Sequence, residues 1–156
     1  MRKILIVAVA MLIITAINFK IYQIEHFLKY GKSIYLKLAP VDPRSLMQGD
    51  YMALRYDVEN KLRDANLEDK KKIVLTLDKN RVAKIKSLSD TAKLGKDEFI
   101  VSLNKKPYRV ELELAHRYYF QEGKSKKYQK AVYGKFKTDG SKMILVNLVD
   151  KDFKDL

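Results

Sequence analysis

"AVYGKFKTDGSKMILVNL", residues 131–148, decides the fold class. Apolar and polar residues alternate on both sides of Asp139-Gly140, and a period of two puts successive side chains on opposite faces of a strand. Asp-Gly between two such runs signals a tight hairpin, because glycine takes positive φ without a Cβ penalty. Working toward the N-terminus, "KIVLTLDKNRVAKIKSL" (72–88) repeats the pattern about Asp78-Lys79-Asn80. "EFIVSL" (98–103) and "YRVELEL" (108–114) make a third pair, and "HRYYF" (116–120) reads as a bent continuation of the second. Earlier still, "SIYLKLAP" (33–40) alternates Ile34, Leu36 and Leu38, and "DYMALRYDV" (50–58) alternates Met52, Leu54, Tyr56 and Val58. Charges crowd between Asn60 and Lys72, where a loop with one short helix is expected; Ser125 to Lys130 reads as another short helix. Six to eight short strands with tight turns predict a mainly β fold over residues 31–156: a small antiparallel sandwich or barrel-like domain with one or two short helices.

Residues 1–30 read differently. After Arg2 and Lys3, the sixteen residues from Ile4 to Phe19 carry no charge. At a helical rise they cover roughly 24 Å of a ~30 Å hydrocarbon core, and Ile21 and Tyr22 complete the span while Lys20 snorkels. A cleaved signal peptide is the rival, but the one small-x-small triplet, Ala8-Val9-Ala10, lies inside the apolar run. An uncleaved N-terminal transmembrane helix is therefore expected. The stripe Ile17, Ile21, Ile24 and Leu28 carries it on to Tyr30, and Gly31 ends it. Arg2 and Lys3 favour a cytoplasmic N-terminus, against a weaker contrary signal from Lys20, Lys29 and Lys32. The expectation is a single-pass protein of the cell membrane with its C-terminal domain extracytoplasmic.

With 156 residues there is room for one compact domain beyond the anchor. No cysteine is present, which removes disulfides, thiolate nucleophiles and cysteine-held metals. A formal net charge of +13, from 32 Lys+Arg against 19 Asp+Glu, favours anionic partners, or reflects lysines spread over solvent-facing positions.

Chemistry-bearing residues concentrate in "DPRSLMQGDYMALRY" (42–56). Gly49 before a strand suits a positive φ, Asp42 and Asp50 suit acceptors for turn amides, and Arg44 lies between those carboxylates in sequence. Met52, Leu54 and Tyr56 share one strand face and Tyr51 the other. This is enough for a structural corner. It is also enough for a recognition site in which Asp42, Arg44, Asp50, Tyr51 and Arg55 bind a partner.

Gly49, Asp50, Tyr51, Leu54 and Tyr56 spell Gly-Asp-Tyr-x-x-Leu-x-Tyr, and by this pattern the chain resembles the GDYXXLXY family of bacterial proteins. The lead-in Pro40-Val41-Asp42-Pro43-Arg44 and the later "RYYFQEGKSKKYQKAV" (117–132) resemble that family's other landmarks, while Ser45 and Gln48 depart from its usual acidic and basic residues. The resemblance implies membrane-anchored proteins encoded beside a multipass membrane protein, and it assigns no activity.

Catalysis finds little support. Around Gly49-Asp50 the chain is similar to the nucleophile turn of signal-peptidase-like enzymes, but Val41 stands at the nucleophile position and Arg44 where a proline belongs. Ser45 is nearby, yet the following strand offers Arg55, which stays protonated and cannot act as a base. Gly31-Lys32-Ser33 and Gly123-Lys124-Ser125 imitate the end of a phosphate-binding loop but have His26 and Tyr118 where its first glycine belongs. His26 and His116 are 90 residues apart, so no metal site or cofactor is expected. His116 reads as packing or surface, and Glu111 and Glu113 as the solvent face of a half-buried strand. The basic segment "GKSKKYQK" (123–130) offers Lys124, Lys126, Lys127 and Lys130 around Tyr128. Lipid headgroups or an anionic envelope polymer suit it, and nucleic acid does not suit the expected location. The leading expectation is a non-enzymatic accessory protein docking onto an integral membrane partner. Binding of envelope polymer or lipid is the alternative.

Overall fold

The computed structural model describes residues 2–39, 47–48, 51–63, 71–89, 94–95, 97–106, 109–140 and 142–156. It divides into two compact units, Met1–Lys32 and Ser33–Leu156. Asp42, Arg44, Ser45, Gly49 and Asp50, on which much of the motif's expected chemistry falls, lie outside the described residues.

The first unit is one helix, α1 (Arg2–Tyr30), about 43 Å long at a helical rise. Its span Lys3–Tyr30 is long and apolar enough to cross a membrane. Thr15 Oγ1 donates to Met11 O at 2.8 Å and Asn18 Nδ2 to Ile14 O at 2.9 Å, so these polar side chains bond to their own helix, as an apolar surround demands. Tyr22, His26 and Tyr30 stack at four-residue spacing near the far end, with ring centres 6.1 and 4.5 Å apart. Gly31 N–H closes the last turn on Phe27 O at 2.8 Å.

The second unit is mainly β. In chain order the strands are β1 (Lys32–Lys37), β2 (Met47–Gln48), β3 (Tyr51–Ala53), β4 (Lys72–Leu77), β5 (Ala83–Leu88), β6 (Glu98–Lys106), β7 (Arg109–Leu112), β8 (Arg117–Tyr119), β9 (Tyr133–Thr138) and β10 (Met143–Val149). Two short helices, α2 (Asp57–Arg63) and α3 (Ser125–Tyr128), accompany them among the described residues. Sheet β1-β9-β10 meets sheet β5-β4-β6-β7 through a parallel bridge between Tyr35 and Val82, and together they curl into an antiparallel half-barrel. The third sheet, β2-β3-β8, hangs from the end of β1: Leu38 bridges Tyr56, and Ala39 N–H donates to Arg55 O at 2.9 Å. The barrel-like form of the expected fold is the one realised.

Inside the curl, Ile34, Leu36, Ile73, Leu75, Phe136 and Leu148 are buried with Tyr56. Each removes roughly 1.5–3 kcal/mol worth of apolar surface from water. The predicted hairpins form where the turn chemistry lies. Asp78 Oδ1 accepts the N–H groups of Asn80 and Val82, both at 2.9 Å, and the turn extends one residue further to Arg81 at φ 59°. Gly140 takes φ 98°, and Asp139 Oδ1 accepts Lys142 N–H at 3.0 Å.

Two expectations change. The motif strand was expected to run to Val58, but β3 ends at Ala53 and α2 begins at Asp57. Met52, Leu54, Tyr56 and Val58 are nevertheless all buried, because Val58 and Leu62, four apart, form the inward face of α2. The period of two and the helical period coincide at Val58, so the pattern hides the switch. Second, "HRYYF" does not continue the preceding strand. The chain bends after Leu112, with Leu114 N–H donating to Leu112 O at 2.8 Å, and β8 joins the sheet of the motif instead.

Candidate functional site

The described part of the motif runs through β3 and on to Tyr56 in extended backbone, and its two faces differ. In its pairing with β8, Tyr51 opposes Tyr119, Met52 opposes Tyr118 and Ala53 opposes Arg117. Leu54 N–H extends the ladder to His116 O at 2.8 Å. Met52, Leu54 and Tyr56 point inward and are buried. Tyr51, Ala53 and Arg55 point outward, the first two half-buried and Arg55 exposed. The Tyr51 ring lies 5.7 Å from that of Tyr119, and the Arg117 guanidinium sits 5.3 Å from its centre, in cation–π range.

Tyr56 is the pivot of the inner face. It is 0% exposed, its ring meets His116 and Phe136 edge-on at 5.6 and 5.8 Å, and its hydroxyl donates to Ala115 O. Burial, helped by the Glu59 carboxylate, pushes that hydroxyl far above the ordinary phenol range. Gly134 lies against the same ring. A Cβ there would stand 3.1 Å from Phe136 Cε2 and 3.3 Å from Leu145 Cδ1, so any larger residue would push on those side chains.

Glu59 is the buried polar hub. As the third residue of α2 it reaches back to the Tyr56 N–H at 3.1 Å, the carboxylate half of a capping box. Its other oxygen accepts Leu112 N–H at 2.8 Å and His116 Nε2 at 2.7 Å, which ties α2 to β7 and to the bend after it. His116 Nδ1 faces Leu114 O at 2.9 Å. Both ring nitrogens therefore meet acceptors, and only the imidazolium satisfies both. Such a ring has no lone pair with which to act as a base. The Glu59 carboxylate, bonded to its Nε2, holds His116 above its ordinary pKa against the opposing effect of burial, with Glu111 adding to the rise.

A raised folded-state pKa means the pair stabilises fully below about pH 6.5 and loses that contribution as pH rises through the folded value. The melting temperature of the wild type minus that of His116→Gln is expected to shrink by several degrees between about pH 6 and pH 9. A difference that stays constant across the range would refute the charged pair.

These elements enclose an open groove of about 820 Å³. Tyr51, Ala53, Arg55 and Arg117 line it from the motif strand and β8, Glu59 and Asn60 from α2, and Lys106, Arg109, Val110 and Glu111 from the β6–β7 hairpin. Glu111 is clasped by Lys106 Nζ at 2.6 Å and Arg109 Nε at 2.7 Å. Partial burial opposes its charge, but these two cations hold its carboxyl below the usual range. Among the described residues, no ion pair to a carboxylate forms at Arg55 or Arg117, which leaves the groove a surplus of positive charge.

Of the residues expected to bind a partner, Tyr51 and Arg55 line this groove; Asp42, Arg44 and Asp50 lie outside the described residues. Arg117, Lys106, Arg109 and Glu59 were not anticipated as members. Arg117 alone carried a legible signal, as an outward position on an aromatic strand. Lys124, Lys126, Lys127 and Lys130 form a separate exposed group on and beside α3. Their aromatic companion, Tyr128, is turned into the core against Tyr118 and Phe120, with ring centres 5.3 and 4.9 Å away. Lys127 covers its ring at 5.6 Å, so Tyr128 is not open to stack on a ligand. No three His, Asp or Glu side chains gather at metal-binding distance among the described residues.

A family model described as "GDYXXLXY protein" matches residues 13–148, most of the chain. The chain belongs to the GDYXXLXY family. No curated protein and no solved structure matches it. Of the letters that name the family, Leu54 and Tyr56 are core residues here and Tyr51 is a wall of the groove.

Proposed function

We propose that this GDYXXLXY protein is a membrane-anchored, non-catalytic accessory protein whose extracytoplasmic domain docks onto an integral membrane partner through the groove beside β3. The observation that carries the reading is the outward face of the motif strand. Half-buried Tyr51 and exposed Arg55, joined by Arg117 from β8, line a concavity with exposed Tyr119 beside Tyr51, and such side chains dominate the energetics of protein interfaces. The apolar helix α1 supports an anchor, and anchoring keeps the domain beside other integral proteins. The saturated hydrogen bonding of His116 supports the non-catalytic reading, because the one imidazole in the groove has no free nitrogen. Lys124–Lys130 offers the alternative of anionic polymer or lipid, but with Tyr128 buried that attraction is charge alone and salt would screen it.

The test is a mild-detergent pull-down of the full-length protein from its native membrane. Wild type is compared with Tyr51→Ala/Arg55→Ala and with Lys126→Glu/Lys127→Glu. Capture of an integral membrane protein is expected for wild type at moderate salt and for the lysine variant. It should drop at least about tenfold in Tyr51→Ala/Arg55→Ala at an unchanged melting temperature, the scale of truncating two interface anchors. Retention by that variant, or loss in the lysine variant instead, overturns the reading.

A further inference from the structure

We infer that the groove receives an extended, acidic segment of the partner polypeptide, added as a short strand to the open edge of β7. This rests on the docking reading above and specifies the occupant of the same site.

The backbone of β7 supplies the first argument. Glu113 N–H donates to Ser102 O at 2.9 Å, toward β6, whereas Leu112 N–H donates to Glu59 Oε1 at 2.8 Å, away from it. The register with β6 runs unshifted from Arg109 to Leu112. Alternation along an antiparallel strand therefore directs both the N–H and the C=O of Val110 away from β6, to the edge where Val110 lines the groove. At Leu112 the edge is closed, its N–H taken by Glu59 and its carbonyl by Leu114 N–H. One step earlier, at Val110, it is open among the described residues. An open edge is a template for another chain, and paired amide groups on an extended backbone are something only a polypeptide offers.

Charge supplies the second argument. The groove's Arg55, Lys106, Arg109 and Arg117 face only Glu59 and Glu111 among its described acidic residues. Glu111 is spent on Lys106 and Arg109, and Glu59 on His116 and two backbone amides. Arg55 and Arg117 stand as the surplus, and planar guanidinium forks match carboxylates at two points. Tyr51, held beneath Arg117, gives the segment an apolar wall with a polar tip.

The experiment titrates the full-length protein in uncharged detergent against a short fluorescein-labelled peptide of alternating Glu and Thr, read by anisotropy. The wild type should bind it and not the Lys-Thr counterpart. Backbone N-methylation of the probe, which removes the strand's donors without touching the protein, should weaken binding by about tenfold or more. Val110→Pro should do the same, since an edge position loses no bond to β6. Arg55→Glu/Arg117→Glu should abolish binding, and Lys126→Glu/Lys127→Glu should leave it unchanged. Equal binding of the N-methylated probe overturns strand addition. Binding of polyphosphate or phosphatidylglycerol vesicles in place of the peptide, with the same arginine dependence, overturns the polypeptide occupant. A wild type that captures its membrane partner through Tyr51 and Arg55 but ignores the peptide sinks this inference alone. Failure of the peptide beside a pull-down indifferent to Tyr51 and Arg55 sinks the docking reading as well.

Discussion

Glu59→Ala is expected to destabilise the domain by about 3–5 kcal/mol, the scale of removing one partner from a buried ionic network. The residue is 8% exposed and accepts from three donors: the N–H groups of Tyr56 and Leu112, and His116 Nε2. Alanine leaves all three without the acceptor. The helix start loses its cap, the edge of β7 loses its tie, and an imidazolium is left without its counter-charge. Glu59→Gln is the sharper comparison. Its oxygen still serves one side, but its amide turns a donor toward another donor, so a loss of roughly half that size is expected. Urea unfolding of both variants in the same detergent checks this. A loss below about 1 kcal/mol for alanine would mean the hub is solvated rather than structural.

The second large effect separates the two tyrosines of the motif. Tyr56→Ala should cost about 3–5 kcal/mol, as truncation of a buried aromatic does when its surroundings cannot collapse. Collapse is resisted here because Phe136 and His116 meet the ring from two sides and the backbone of Gly134 lies close to it. Tyr56→Phe keeps the ring and removes only the donor to Ala115 O, for about 1–2 kcal/mol. Tyr51→Ala, on the outer face, should cost less than about 1 kcal/mol. Comparable losses for Tyr51 and Tyr56 would contradict the division of the motif into an inner, structural face and an outer, binding one. The same ratio makes the pull-down interpretable, since Tyr51 can be removed from a domain that stays folded.

On the proposed reading, the described part of Gly-Asp-Tyr-x-x-Leu-x-Tyr serves both purposes. A structural corner and a recognition surface are not alternatives along a strand, because a period of two assigns neighbours to opposite faces. Leu54 and Tyr56 build the core from the same backbone that holds Tyr51 and Arg55 outward.

Helix α1, the β5, β9 and β10 strands and their turns were legible in the sequence because each rests on neighbours in the chain. Sixteen uncharged residues need an apolar surround, and Asp139-Gly140 closes its own hairpin through Asp139 and a glycine at positive φ. The alternation of Ile34, Leu36 and Leu38 likewise marks its buried face without reference to a partner. Where an answer depended on a partner far along the chain, local pattern was blind. Glu59 looks like any helix-surface acid until Leu112, 53 residues away, and His116, 57 away, are brought to it. Tyr128 looks like an aromatic offered among lysines until Tyr118 and Phe120 cover it. The groove joins β3, α2, β7 and β8, and no segment of the sequence contains it. Alternation and turn chemistry are properties of consecutive residues, so the sequence alone specified the long apolar helix, the mainly β class and the faces of its strands. Hydrogen-bond partners and concavities arise from pairing across long loops, so the curl of the sheet, the buried charge at Glu59 and the cationic groove were decided by the tertiary structure.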